Sequence, residues 1–474
     1  MVFSSMLFVF LFLAANLLSQ ILLKTPRAKN IAMLVFSLIF YSWSGPRYLI
    51  LLVGMVFICW LGALCVQYSP HKKFWLVFTV TLCLVILGVF KYTGFILGNI
   101  QSLLGVPKFI PEIVLPIGIS FYTFQLISYM IDVYRGQVEA QEKYWLLLLY
   151  ASLFHQCIAG PIVRYKDVNG DILARKTNIR EVSAGISRFT IGLAKKAVLA
   201  NGCAVIADQL LLFTTSELVT VPAMGILLGG VMFSLQIYLD FSAYSDMAIG
   251  MGLMCGFHYK ENFNYPYIAD SITEFWRRWH ISLGSFFRDY VYIPLGGNRV
   301  SIPRQVVNLF IVWFLTGMWH GANWNYIFWG LFFGVLLGIE RFVLGKSLAC
   351  APGWARHIVT LVLVVFSMII FKFTDLALLG TAIKGLFGLN HNGFTSRSVS
   401  LLFKNNIFFI LFAVVAVTPL GKRVRRALAE GGQKGGALYW VSAAWEAVHP
   451  VLLLIVSAMA LVGDSYNPFL YFQF

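Results

Sequence analysis

Two histidines, His280 and His320, are the residues of this 474-residue chain best suited to acid–base chemistry. His320 lies between two apolar runs, and Gly321 and Ala322 follow it directly. An imidazole has an unperturbed pKa of ~6.5, so it can accept a proton near neutral pH, as acyl transfer to a hydroxyl group requires. The small residues Gly321 and Ala322 leave space for a ligand beside the ring. The alternative is a structural histidine that is satisfied by a backbone carbonyl in a helix bundle.

Two acidic residues, Asp240 and Asp246, follow directly after an apolar run at 222–239. Ionisable groups within membrane segments are costly, and by default they mark functional sites. One interpretation is substrate binding. The other is that each carboxylate caps a helix or pairs with an arginine such as Arg277 or Arg278. We interpret the aromatic residues around His280 as anchors at a membrane interface.

Several other chemistries find no support in the sequence. It contains no P-loop, no G-x-S-x-G elbow and no H-E-x-x-H motif, which argues against nucleotide hydrolysis, serine hydrolase and zincin activities. None of the seven cysteines forms a close C-x-x-C pair, so we expect neither a metal site nor a disulfide framework. The net charge of +16 comes from basic residues in short loops between apolar runs. This distribution favours contact with membrane lipid headgroups over binding of nucleic acid.

The composition predicts an all-α integral membrane protein. Hydrophobic residues make up 59% of the chain and charged residues 12%, against roughly 45–50% and about 25% in soluble domains. A membrane-spanning helix needs about 20 mostly apolar residues. We expect 10 or 11 spans, with broken helices at 113–131 and 145–163. The apolar runs lie at 5–23, 31–43, 48–68, 74–90, 222–239, 306–319, 324–339, 358–371, 407–420 and 449–463.

The basic residues between the runs predict the orientation of the chain. Lys24, Arg27 and Lys29 follow the first run, and Lys72 and Lys73 follow the third. Because basic loops favour the cytoplasm, we expect the N-terminus outside. A further cytoplasmic loop is expected at 422–426, and the last residues, 464–474, are expected outside.

The order of several motifs resembles that in the alginate O-acetylation branch of the membrane-bound O-acyltransferase family. The motifs run from residue 115 to the C-terminus, so the resemblance covers most of the chain. They are LPIGISFYTFQ (115–125), DVYRG (132–136), AGPIVR (159–164), DFSAYSDMAIG (240–250), the stretch 275–298, WHGANW (319–324) and YNPFLYFQF (466–474).

The resemblance implies a single membrane domain over 1–474, with N-terminal spans at 1–100, a core at 113–345 and C-terminal spans at 346–474. It implies a ring of helices around a thin central partition with a funnel, with His320 at its floor and His280 nearby. It also implies a bacterial cell (cytoplasmic) membrane enzyme with acetyl-CoA as donor. An extracytoplasmic partner with an SGNH-hydrolase-like domain would place the acetyl group on a polysaccharide. The candidate substrate-binding residues are Asp240, Asp246, Arg277, Arg278, Asn298 and Asn323.

The terminal residues FLYFQF (469–474) resemble an F-x-Y-F-x-F ending found in this branch. The resemblance makes Tyr471 an acyl relay, activated by His320. A phenol of pKa ~10 leaves more readily than an alkyl alcohol, so its ester is activated for onward transfer. The alternative is that these aromatic residues only anchor the terminus at the membrane interface.

Three other activities stay open. A D-alanyl transferase acting on teichoic acid would take its donor from a carrier protein, and a lipid acyltransferase would give a lipid product. A polysaccharide or lipid transporter would share the apolar runs and buried charges, but it would not need His320.

Overall fold

The computed structural model describes residues 2–43, 45–106, 113–157, 160–345, 347–433 and 437–463. These residues form helices joined by turns and loops, and no strand occurs among them. The fold is therefore the all-α one that the composition predicts. The chain forms two compact units. The first comprises Met1–Phe189, Tyr244–Glu261 and Ser285–Tyr290, and the second comprises Thr190–Ala243, Asn262–Gly284 and Val291–Phe474.

The helices of the N-terminal part are mostly long and apolar. They are α1 (Leu13–Leu22, preceded by a π-helical segment, Phe8–Phe12), α2 (Pro26–Ser42), α3 (Pro46–Tyr68), α4 (Lys72–Leu104), α5 (Ile119–Tyr134), α6 (Tyr144–Ser152), α7 (Tyr165–Ala174) and α8 (Ile179–Ala194).

The remaining helices begin with a π-helical segment, Lys195–Ala200, that continues α8. They are α9 (Asn201–Asp208), α10 (Thr215–Leu218), α11 (Ala223–Cys255), α12 (Ile272–Arg278), α13 (Ile281–Phe287), α14 (Ile302–His320), α15 (Trp324–Gly338), α16 (Ser347–Cys350), α17 (Gly353–Lys372), α18 (Leu376–Leu386), α19 (Arg397–Asn405), α20 (Ile407–Ala416), α21 (Leu420–Gln433) and α22 (Ala437–Gly463).

Seven helices in the described part of the chain are long and apolar enough to cross a membrane, or eight if the bent pair α19 and α20 counts as one span. The expected 10 or 11 spans are not reached by this measure, because several apolar runs fold into helices too short to cross. An example is the run at 5–23, which forms the short helix Phe8–Leu22. The number of long apolar helices nevertheless makes the chain a multi-pass membrane protein.

The helix breaks expected within 113–131 and 145–163 are present. Gly118 adopts a left-handed conformation (φ 77°) directly before α5, and α6 ends at Ser152. Left-handed φ values cost little for glycine, which explains why a glycine stands where the chain turns into α5.

The aromatic segment around His280 differs from the expectation. Phe275 and Trp279 are 1% and 4% exposed, so they belong to the hydrophobic core of the second unit and are not interface anchors. The core of the second unit also contains aromatic residues of α14, α15 and α17, such as Trp313, Trp329 and Phe371.

Candidate active site

The site begins with a tight hairpin formed by α14 and α15. A Cβ atom at Gly317 would collide with the backbone carbonyl of Tyr326, and one at Gly330 would collide with the carbonyl of Trp313. Glycine at both positions therefore lets the two helix backbones approach closely. The sequence places His320 at the last residue of α14, directly before the turn of this hairpin.

His320 is buried among aromatic rings. Its ring centroid lies 5.0 Å from that of Trp319, 4.9 Å from that of Trp329 and 5.3 Å from that of Phe371, each in an edge-to-face arrangement. Only 5% of the residue is exposed. These rings separate the imidazole of His320 from bulk water.

The expectation that Gly321 leaves room for a ligand is wrong. A Cβ atom at Gly321 would collide with the side-chain ring of Tyr326. The space beside the glycine is therefore filled by the protein itself. Gly321 allows Tyr326 to pack against the turn that follows His320, and this contact helps to fix the turn.

Asn325 fixes a second side of the His320 pocket. Its buried amide nitrogen Nδ2 donates to the carbonyl oxygens of Ile370 (3.4 Å) and Phe371 (3.1 Å) at the end of α17. These bonds hold the last turn of α17 against the start of α15, and Phe371 against the imidazole. Asn325 is not among the residues predicted from the sequence, although a polar residue directly after the motif of His320 opens an apolar run there.

His280 is positioned differently, by an irregular connection between α12 and α13. Its backbone is left-handed (φ 44°), which is uncommon for a residue with a side chain and costs on the order of 1–3 kcal/mol. Its Nδ1 lies 3.2 Å from Oδ1 of Asn262, and the residue is 1% exposed.

The hydrogen bonds of Asn262 assign the tautomer of His280. The backbone N–H of Ser282 lies 3.1 Å from Oδ1 of Asn262 and can only donate, so this atom is the amide oxygen. Nδ1 of His280 must then carry the proton that it shares with Oδ1. The Nε2 atom consequently carries a lone pair, and it is buried without a hydrogen-bond partner among the described residues.

Burial lowers the pKa of His280 to about 3. The desolvated ring is therefore neutral at physiological pH, and its Nε2 can accept a hydrogen bond or a proton from a reacting group.

The two histidines meet at one aromatic residue, Trp319. Its ring centroid lies 5.7 Å from that of His280 and 5.0 Å from that of His320. The ring of Phe241 also packs edge-to-face against His280, with the two ring centroids 4.7 Å apart. Thus two imidazoles forty residues apart in sequence belong to one buried aromatic cluster, in which a proton can be accepted away from bulk water.

The two aspartates are engaged in ion pairs, but not with the arginines we expected. Asp240 lies 2.9 Å from Nζ of Lys196, and both side chains are almost fully buried. Asp246, in the first unit, lies 2.7 Å from Nε of Arg188. A buried carboxylate needs such a partner, because an isolated charge would cost several kcal/mol. The partners are 44 and 58 residues away in sequence, so no local pattern could have identified them.

The four other candidate substrate-binding residues have different surroundings. Arg278 pairs with Glu274 at 2.7 Å, and Oδ1 of Asn298 accepts from Tyr292 and Arg341 at 2.8 Å each. Arg277 and Asn323 are exposed, and neither side chain forms a hydrogen bond or ion pair with another described residue.

Tyr471 lies outside the described residues. Within the described ranges, no three His, Cys, Asp or Glu side chains are grouped so that they could hold a metal ion.

Comparisons with known proteins show the family of the chain. Residues 144–383 match the model of the membrane-bound O-acyltransferase family, and this range contains both histidines. The chain is 36% identical to the probable alginate O-acetylase of Pseudomonas aeruginosa, with both chains covered completely. It is 31% identical to a peptidoglycan O-acetyltransferase of Helicobacter pylori, over 100% of this chain and 98% of the relative.

A teichoic acid D-alanyltransferase of Bacillus subtilis is also similar, at 29% identity over 48% of this chain and 59% of the relative. The match to the family model and the identity over the full length of two O-acetyltransferases lead to one assignment: the chain is a membrane O-acyltransferase and belongs to the membrane-bound O-acyltransferase family.

Proposed function

We propose that the protein moves an acetyl group from cytoplasmic acetyl-CoA across the bacterial cytoplasmic membrane for the O-acetylation of an exported or cell-wall polysaccharide. The observation that carries the proposal is the pair of buried histidines that share Trp319. The similarity to alginate and peptidoglycan O-acetyltransferases over their full length supports acetyl as the group and a glycan as the acceptor.

His320 acts as the general base on the hydroxyl of Tyr471 in this proposal. The imidazole takes the phenolic proton, and the phenolate oxygen attacks the thioester carbonyl. The C–S bond breaks, and the thiolate of coenzyme A leaves with the proton from the imidazolium. The acetyl-tyrosine then passes its acetyl group to a serine of an extracytoplasmic SGNH-hydrolase-like partner, which delivers it to the sugar. This route requires both termini outside, as the basic loops predict.

His280 offers the lone pair of its Nε2 as a hydrogen-bond acceptor to a donor group of the substrate, while His320 serves as the base. Its neutral, Nδ1-protonated form supports this role, because Asn262 keeps the lone pair of Nε2 in a fixed direction. An acceptor held in place needs no reorganisation during the reaction.

Arg277 and Asn323 stay the candidates for direct contact with substrate, because both side chains are exposed and uncommitted among the described residues. Asp240, Asp246, Arg278 and Asn298 have protein partners, which favours a role for them in holding the elements of the site.

D-alanyl transfer from a carrier protein is the second candidate activity. It is favoured by the similarity to a teichoic acid D-alanyltransferase, but that similarity covers only about half of each chain.

The decisive experiment measures transfer of label from acetyl-CoA to the purified protein in detergent. It compares the wild type with His320→Ala, Tyr471→Phe and a control, His71→Ala, which replaces an exposed histidine. We expect label in the C-terminal peptide of the wild type and of the control, and none in the other two proteins. Label on Tyr471→Phe would exclude the tyrosine relay, and label on His320→Ala would exclude His320 as the base.

A further arm supplies labelled alanine on its carrier protein. Labelling from this donor, with none from acetyl-CoA, would replace the proposed acetyl transfer by D-alanyl transfer from a carrier protein.

A further inference from the structure

The basic segment at 422–426, which the sequence predicts to connect two spans, is helical. It belongs to α21, which runs over 14 residues from Leu420 to Gln433. At 100° per residue, side chains four apart lie on one face, so the helix can present two chemically different surfaces.

One surface of α21 is apolar and uncovered. Leu420, Val424 and Leu428 are spaced by four residues and form a single stripe. Leu420 is 50% exposed and Val424 is 51% exposed, and Leu428 is half-buried. An exposed stripe of this kind is unfavourable in water, which points to a covering surface.

The opposite surface is strongly basic. It carries Lys422, Arg423, Arg425 and Arg426, all of them exposed. The carboxylate of Glu430 lies on the same surface and pairs with Nε of Arg426 at 2.6 Å. The other three basic side chains have no carboxylate partner in the described ranges, so most of their charge faces outward without compensation.

The neighbours of α21 fix its location at a membrane boundary. The apolar helix α20 ends at Ala416, four residues before α21 begins. The candidate span Tyr439–Val462 starts six residues after α21 ends, and only 11% of its most apolar window is buried within the protein. With a membrane segment on each side, α21 cannot be far from the lipid headgroups.

We propose that α21 lies in the plane of the membrane and binds an anionic phospholipid surface. Leu420, Val424 and Leu428 insert at the boundary between headgroups and acyl chains, while the lysine and arginines contact lipid phosphates. Anionic lipid is the occupant that meets both observations, because it offers an apolar phase and negative charge at the same depth.

The test uses the full-length protein in vesicles and a spin label at one of two cysteines. The Val424→Cys label reports on the apolar stripe, and the Lys422→Cys label is the matched control on the opposite face. Both are made in a Cys65→Ser, Cys350→Ser background, because the other five cysteines are buried. Collision rates are measured with oxygen, which is concentrated in lipid, and with a water-soluble nickel chelate.

In vesicles containing phosphatidylglycerol, we expect the Val424→Cys label to collide several-fold more often with oxygen than with the chelate, and the Lys422→Cys label to show the opposite preference. In pure phosphatidylcholine, the preference at Val424→Cys should fall several-fold, because the charge attraction is lost. Equal access to the chelate at both positions in the anionic vesicles would overturn the proposal. Shielding of Val424→Cys that appears only after an acidic acyl carrier protein is added would assign the surface to that protein instead.

Discussion

The two histidines of the site are held by opposite means. His320 ends a regular helix and is positioned by packing, through the close approach of α14 and α15 and three aromatic rings. His280 lies in an irregular connection and is positioned by hydrogen bonds to one amide and by a left-handed backbone. A packed residue depends on shape, whereas a hydrogen-bonded one depends on partners and on its protonation state. The following predictions test this difference.

The largest effect is expected from Gly317→Ala. The new methyl group would collide with the backbone carbonyl of Tyr326, which cannot move as a flexible side chain can. Overpacking of this kind costs about 3 kcal/mol, so we expect a clear loss of thermal stability in detergent and of acyl transfer.

Gly338→Ala is the matched control for this substitution. It lies in the same hairpin, but its Cβ atom would be in ordinary contact with Leu309, at 3.9 Å. Because alanine favours a helix over glycine by about 1 kcal/mol, this variant should be as stable as the wild type or more so. Similar losses in both variants would mean that close packing of α14 and α15 does not position His320.

The second effect is expected from Asn262→Ala, which removes the partner of Nδ1 of His280 and of the Ser282 hydroxyl. The remaining contact of Nδ1, with the Ser282 hydroxyl at 3.4 Å, is longer and does not fix the tautomer of the imidazole, so the loss should cost about 1–2 kcal/mol. We expect kcat to fall roughly tenfold, which corresponds to a rise of about 1.4 kcal/mol in the barrier, because the imidazole is no longer held in its reactive form. The KM for the donor should be unchanged, because Asn262 positions His280 and does not bind the donor.

Asn264→Ala provides the comparison, since this residue is exposed and, among the described residues, it bonds to Arg278 through its backbone N–H and carbonyl groups alone. It should behave as the wild type. A change in KM alone after Asn262→Ala would place Asn262 in substrate binding and not in the positioning of His280.

The third effect depends on pH. Burial lowers the pKa of His280 to about 3, below the value of ~6.5 in an unfolded chain. Between these values the unfolded state binds more protons, so stability is lost as the pH falls below ~6.5. The loss from this one residue should reach about 1 kcal/mol at pH 5.5. Unfolding measured at pH 7.5 and pH 5.5 should show this loss in the wild type and a loss smaller by that amount in His280→Gln. An equal loss in both proteins would mean that His280 is not held neutral.

The sequence identified parts of this site but could not supply the rest. His280 and His320 stand out locally, because an ionisable group beside an apolar run is conspicuous. The amphipathic period of Leu420, Val424 and Leu428 was also visible, and it could have predicted α21. In contrast, Asn262 is 18 residues from His280, and Lys196 is 44 residues from Asp240. These pairs form only when distant elements pack, so no local pattern contains them. The space beside Gly321 was misjudged for the same reason, because the ring that fills it belongs to a residue of the following helix.

The smallest effect is expected from Glu340→Gln, which tests how α12 is oriented toward His280. The carboxylate of Glu340 accepts from the backbone N–H groups of Ile272 (2.8 Å) and Thr273 (3.1 Å) at the first turn of α12. A negative charge at a helix N-terminus contributes about 0.5–1 kcal/mol. Glutamine loses the charge and keeps one oxygen, which can still accept from both N–H groups, as Oε2 of Glu340 does at 2.8 and 3.4 Å. We expect a loss of stability of that size and a wild-type dependence on pH, because Asn262 and His280 are unaffected. A changed pH dependence of unfolding would instead mean that α12 shifts and carries His280 with it, and the hydrogen bonds to Asn262 would then not suffice to hold the imidazole.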